Sequence, residues 1–354
     1  MDVESTQIPD IQKNIKPNFS GTPEEYFRIW IVNTLLTIVT LGFYLPWAKV
    51  RTRRYFYLNT SLDGEPFDYL ADPKKLFWGY VIVAVFLIAY NFLPTINPIF
   101  VLPVFIIGLV GFPWVIYKSR RFFCHNSAYR NIRFHFSGEL SEAYTAYIAF
   151  PIVAGLTLGI MLPHVFFKQK EYFFANVSYG NIHAQFSGRV SYFYKVYLIA
   201  AAVVIAAIFL LPILIAGASS SSMNTDGDLD GMNSLLMATI ITTYLTMFVV
   251  FQYVNVLITN HCWKHTRFPN HLNCNCSIKP SKYIWIQATN IVAIVLSLGL
   301  LVPWAKIRLY RYRISCFHVQ THSDLEEVAA NLQSNEDGAT GEMAADQFDF
   351  EIGL

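Results

Sequence analysis

Charge is scarce in this chain. Only 14% of its 354 residues are Asp, Glu, Lys or Arg, against roughly 25% in an ordinary soluble domain. With 54% of residues hydrophobic, that shortage points away from a soluble domain and toward the membrane. Cysteine is sparse as well. The five thiols, Cys124, Cys262, Cys274, Cys276 and Cys316, are odd in number and fall mostly in basic loops expected to face the reducing cytoplasm, so no disulfide framework is implied. The opening MDVESTQIPDIQKN has neither the basic start nor the apolar run of a cleavable secretory signal, so the first apolar segment is expected to direct insertion itself. Walker A, HExxH, GxSxG and Rossmann glycine patterns are missing, and charge is nearly absent from the apolar segments. Those absences speak against an enzyme and against an ion pump with buried carboxylates, and they call for no cofactor.

The charge that is present is unevenly placed. Residues Thr321 to Leu354 hold nine acids and no Lys or Arg; without them, 26 basic residues face 15 acidic ones. A basic body suits the anionic inner leaflet. A nucleic-acid partner would require those cations on a soluble face, whereas here they flank apolar runs.

Between Lys75 and Lys118 lie 42 uncharged residues, interrupted by NFLPTINP. A span needs about 20 residues, so this reads as two helices and a tight turn. The run after Lys195, the polar loop ASSSSMNTDGDLDGMNS and the run from about Leu235 to Ile258 read as a second pair. Three further apolar segments stand alone: Ile29 to Ala48, Ala143 to Phe167 and Tyr283 to Ala305. Basic residues collect on the cytoplasmic side, and the lone segments are basic on both flanks. Two topologies remain open. Either all seven segments cross and the charge rule is broken at some connections, or only the paired helices cross while the lone segments dip in and return near Gly42, Gly159 and Gly299.

Internal similarity runs through the chain. Tyr26 to Tyr55 aligns without a gap on Tyr283 to Tyr312, with twelve of thirty positions identical, including Asn33/Asn290, Pro46/Pro303, Trp47/Trp304, Lys49/Lys306, Arg51/Arg308 and Arg54/Arg311. Weaker copies begin at Pro113 and Pro163, and in three copies an Asn (Asn59, Asn126, Asn176) follows the Pro by 13 residues. NSAYRNIRFHFSG and NVSYGNIHAQFSG match at seven of thirteen positions, and FSG recurs at Phe19, Phe136 and Phe186. The alternation in NIRFHFSG is that of a half-buried strand, and Asp63-Gly64 is a turn signal. The expected fold is an all-α polytopic membrane protein of six to seven hydrophobic helices, some re-entrant, built from internal repeats, with short cytoplasmic β-hairpin loops. Its expected divisions are a polar segment 1–18, repeat A 19–136, repeat B 137–276, a partial repeat 277–315 and an acidic, disordered tail 316–354.

The stretch EEYFRIWIVNTLLTIVTLGFYLPWAKVRTRRYFYLNTSLDGEPFDY resembles the YjgN-like family of bacterial inner-membrane proteins, through its TLG, PWAK, RRY and NT elements. The likeness extends over about Phe19 to Arg313. It implies a multi-pass protein of a Gram-negative inner membrane and carries no established activity with it. The middle copy departs from the pattern, with His164 in place of Trp and a diluted basic cluster in HVFFKQKEY.

Candidate sites follow from these patterns. Pro46, Trp47, Lys49, Arg51 and Arg54, with Pro303, Trp304, Lys306, Arg308 and Arg311, form either an interface anchor or a pocket for an anionic headgroup or solute. Asn33 and Asn290, inside apolar segments, can hydrogen-bond between helices or line a solute path; Thr239, Thr243 and Thr246 share one helical face. His261, Cys262, His265, His271, Cys274 and Cys276 are dense enough to raise metal binding, but the CxC spacing is not that of a zinc knuckle, and the bland reading of free loop cysteines is preferred. The functional expectation is an inner-membrane permease, or permease component, for a small anionic solute or lipid. The competing one is a scaffold or envelope-assembly factor that binds proteins through its loops and acidic tail. The partners expected are the bilayer lipid and that anion, with no nucleic acid.

Overall fold

The computed structural model describes residues 13–219, 229–269 and 272–321. The acidic tail from 322, most of the polar loop after α8, and His271 lie outside the described residues. Helices and strands alternate in a fixed rhythm. After β1 (Lys13–Ile15) and β2 (Asn18–Phe19) come α1 (Pro23–Val39) and α2 (Leu45–Leu58), then β3 (Thr60–Leu62) and β4 (Glu65–Tyr69). Next are α3 (Pro73–Ile96) and α4 (Val101–His125), followed by β5 (Ser127–Tyr129) and β6 (Ile132–Phe136). The third helical pair is α5 (Leu140–Tyr144), a π turn (Thr145–Ala149) and α6 (Phe150–Leu156) on one arm, and α7 (Leu162–Ala175) on the other. Strands β7 (Val177–Tyr179), β8 (Ile182–His183) and β9 (Gln185–Phe186) lead into α8 (Val190–Ser219) and α9 (Leu229–Lys264). Strands β10 (Thr266–Phe268) and β11 (Leu272–Cys276), helices α10 (Pro280–Leu296) and α11 (Val302–Ser315), and β12 (Phe317–Thr321) complete the chain.

Among the described residues, four helical stretches are long and apolar enough to cross a membrane: Pro73–Ile96, Pro98–His125, Val190–Leu214 and Leu236–Lys264. They form the two pairs read from the sequence. The count of six to seven such helices is not met, because each lone segment is folded as two short arms on either side of a turn: helices of 17 and 14 residues in α1/α2 and α10/α11, and the broken α5–π–α6 arm followed by the 14-residue α7 in the middle one. At 1.5 Å per residue, 17 residues reach about 25 Å, less than the roughly 30 Å of the hydrocarbon core. The turn is the same each time. Gly42 N–H donates to Thr37 O, Gly159 to Ala154 O and Gly299 to Ile294 O, all at 2.8 Å; the leucine before each glycine sits at φ 50–51° and the glycine at 86–94°. A left-handed leucine costs roughly 1–2 kcal/mol, yet Leu41, Leu158 and Leu298 are 89–94% exposed.

The strands do not form separate hairpin loops. One sheet runs β2-β3-β4-β5-β6-β7-β8 and the other β1-β12-β11-β10-β9, antiparallel throughout. Only Lys16 and Pro17 separate β1 from β2, and only Ala184 separates β8 from β9. Both ends of one sheet therefore continue through the backbone into the ends of the other, and the two sheets together form a ring of strands. The Asp63-Gly64 turn is present between β3 and β4, with both residues at positive φ. Residues 13–15 and 317–321, assigned from the sequence to the terminal segments, are the strands that pair to complete the ring, Lys13 opposite Thr321 and Ile15 opposite Val319. Above the strands the helices pack in chain order from α1 to α11, and α11 packs back on α1.

Candidate binding cavity

Each helical pair is tied at its base by one backbone hydrogen bond: Ser20 N to Asn59 O, Leu70 to Asn126, Ser137 to Asn176, Ser187 to His265 and Ser277 to Cys316, all 2.8–3.0 Å. The residues that receive these bonds each end a helix that runs down into a strand. At three of the five, Asn59, Asn126 and Asn176, the side-chain amide also donates to the carbonyl four residues back, which satisfies one of the carbonyls a helix end leaves open. The Asn that follows each Pro by 13 residues is thus a helix stop.

From that shared landmark a cavity can be built by position. Two residues before it stand Tyr57, Cys124, Phe174, Trp263 and Ile314; one after it, Thr60, Ser127, Val177, Thr266 and Phe317; three after it, Leu62, Tyr129, Tyr179, Phe268 and Val319. All fifteen line one space of about 450 Å³ inside the strand ring, below the helices. The positions one and three after the stop share a face because strand side chains alternate. Its wall is almost wholly carbon. Four of its hydroxyls pair with each other, Tyr57 with Ser127 at 3.1 Å and Thr60 with Tyr310 at 3.0 Å, and Thr266 donates to Cys262 O. Tyr129 donates to Leu62 O at 2.8 Å and Tyr179 to Tyr129 O at 3.0 Å, so three consecutive positions of the lower belt are laced together. Ile15 and Ile132 are buried in one apolar cluster with Leu62, Tyr129, Tyr179 and Val319 of that belt.

The basic clusters singled out from the sequence lie elsewhere. Pro46-Trp47 and Pro303-Trp304 begin the returning helices α2 and α11, just after the tip and far from the strand end. The cations that follow join neighbouring helical pairs. Lys49 lies 5.3 Å from the Tyr80 ring centre and Lys306 6.0 Å from that of Tyr26; Arg54 donates to Tyr69 O and Arg311 to Gly21 O. Arg308 turns inward to Thr289 and Asn290 at 2.7 and 3.1 Å, while its counterpart Arg51 is exposed. Asn33 and Asn290 reach across their own pair to Ala48 O and Ala305 O, at 3.4 and 3.1 Å. Thr239, Thr243 and Thr246 are half-buried on α9, which packs along α8; the Thr246 hydroxyl donates to its own helix at Thr242 O.

Among the described residues, no three His, Cys, Asp or Glu side chains gather as a metal would need. His261 Nε2 accepts from Arg189 N–H and its ring stacks on Tyr192 at 4.1 Å. Burial pushes the thiols of Cys274 and Cys276 up to about 12 and 11, away from the thiolate form that binds metal. Sequence reasoning missed the cavity. Its signal was available in the residues flanking each helix stop, but only the ring turns those positions toward one another.

Comparison with known proteins places the sequence in a family. The family profile described as "Bacterial protein of unknown function (DUF898)" matches residues 15–347. The chain is 30% identical over 145 residues to "Inner membrane protein YjgN" of Salmonella typhimurium, which covers 41% of this chain and 37% of that protein. It is 30% identical over 144 residues to "Inner membrane protein YjgN" of Escherichia coli K12, covering 40% and 36%. The matched stretch spans little more than a third of the length of those relatives. No solved structure matches.

Proposed function

This chain belongs to the DUF898 family of bacterial proteins, a multi-pass protein of the inner membrane, and on that premise we propose that it is a lipid permease or permease component whose strand ring takes up the apolar part of a lipid. The reading rests on one observation, the cavity of about 450 Å³ with a carbon wall drawn from all five helical pairs. That volume lies within the range of ligand sites. A small hydrated anion would find nothing there to replace its water, whereas an acyl chain would gain about 0.8 kcal/mol per buried CH₂. Lipid, of the two permease substrates weighed above, is therefore the one that fits.

The topology proposed with it has two crossing pairs and three re-entrant pairs. The Lys- and Arg-free turns after α3 and α8 face outward, and the basic strand ring lies in the cytoplasm. Strand, helical pair and strand form one unit used five times, by duplication. Three of the pairs dip from the ring into the bilayer and return, which lets lipid reach the ring between them.

Leaflet exchange of a fluorescent phospholipid in proteoliposomes tests the proposal. The protein is expected to accelerate exchange, and Val177→Trp, which fills the cavity from a half-buried wall position, to abolish the gain while leaving helical content unchanged. An inactive wild-type protein with no co-purifying lipid would favour the scaffold.

A further inference from the structure

We infer that the cavity's ligand carries a compact oxyanion, a carboxylate or phosphate, on its apolar chain, and that Arg53 and Arg120 bind it. This rests on the lipid reading of the cavity and names the class of lipid. The argument begins with helical spacing. The residues two before each helix stop line the cavity, and those four residues earlier lie one turn higher on the same helical face. Those positions are Arg53, Arg120, Lys170, Thr259 and Tyr310. Tyr310 itself lines the cavity. Three of the five are cations on consecutive helical pairs, and the other two carry hydroxyls.

The two arginines are half-buried and lean on the cavity wall. The Arg53 guanidinium lies 4.9 Å from the centre of the Phe123 ring and donates to the Tyr69 hydroxyl at 2.9 Å. Arg120 lies 4.2 Å from the centre of the Phe173 ring. Phe123 and Phe173 both line the cavity. Among the described residues, no ion pair joins either arginine to a carboxylate. Half-buried guanidinium groups beside a carbon wall are costly without a counter-charge, and a guanidinium presents a planar fork that matches a carboxylate or phosphate. The wall below suits the chain of the same molecule. Two features on one rim thus specify an acidic amphiphile over a neutral one.

The test compares three probes with the same oleoyl chain, binding to the full-length protein in a nonionic detergent at pH 8: oleate, oleoyl lysophosphatidate and neutral monoolein. The acidic probes are expected to bind at least tenfold tighter than monoolein. In Arg53→Gln/Arg120→Gln that preference is expected to vanish with monoolein affinity unchanged. Arg53→Lys/Arg120→Lys is expected to keep part of it, and Arg51→Gln, at an exposed cation off the wall, all of it. A higher affinity for oleate assigns a carboxylate head, and for lysophosphatidate a phosphate head; both support the inference. Equal binding of all three probes to the wild type, or a preference that survives the double Gln variant, overturns it while leaving the cavity reading standing. Failure of every probe, monoolein included, removes the cavity reading and this inference with it.

Discussion

Asn33 and Asn290 occupy matching positions, yet their surroundings differ. Asn290 is satisfied on both sides, with its amide on Ala305 O and its carbonyl oxygen taking Arg308 at 3.1 Å. In Asn33 the longer 3.4 Å bond to Ala48 O is kept, but the side-chain oxygen is buried without a partner. An unmet buried acceptor costs roughly 1–3 kcal/mol, against a net gain of about 1 kcal/mol for a made bond. Asn290→Ala is therefore expected to lower stability by about 1–2 kcal/mol, since it also strips Arg308 of a partner, whereas Asn33→Leu is expected to be neutral or slightly stabilising. Thermal unfolding in detergent, followed by circular dichroism, reads the difference; equal losses would show that Asn33 finds a partner in the membrane. The equivalence of these two residues was legible in the sequence. Their inequality was not, because it depends on where one arginine side chain turns.

The lone apolar segments are the element on which sequence reasoning stopped at two topologies. Hydropathy favoured crossing and the flanking charge favoured return. The fold resolves the chain path, since both flanks of each segment enter the same strand ring. Asn18 in β2, Asn59 at the end of α2, Asn181 in the β7–β8 turn and Gln320 in β12 all belong to that ring. Single cysteines there, on a cysteine-free background, are expected to be shielded together from an impermeant thiol reagent applied outside intact cells, while a cysteine at Asn97, in the turn before α4, is labelled. Labelling at Asn59 without Asn18 would mean that the segment between them crosses the bilayer, and would sink the re-entrant topology. The Pro-Trp elements change meaning with the path. Pro at the second position of a returning helix is well tolerated, because no backbone donor is needed there.

For the whole molecule, closure is the governing feature. The ring depends on the short pairing of β1 with β12, three residues near one end of the chain against three near the other. Across the same seam, Tyr310 meets Thr60 and Arg311 meets Gly21 O. Contacts of such sequence separation are costly to form and are made late. Removal of residues 1–15 is expected to leave the helices formed but to free one edge of β12, open the cavity, lower the unfolding temperature by several degrees or more, and promote association through the exposed edge. Circular dichroism with size-exclusion chromatography checks this. A truncated protein as stable and monodisperse as the full chain would show that closure is not what holds the ring.

The sequence by itself determined the membrane setting, the two long helical pairs, the recurring Gly, Pro and Asn positions and the strand-like stretches between helices, because each follows from local composition and periodicity. Only the tertiary structure decided that the strands form one ring, that the lone segments turn back, and that fifteen scattered residues share a single cavity. The physical reason is that alternation fixes which face a strand side chain takes but not which strand lies beside it. That choice is made by hydrogen bonds between segments far apart in the chain.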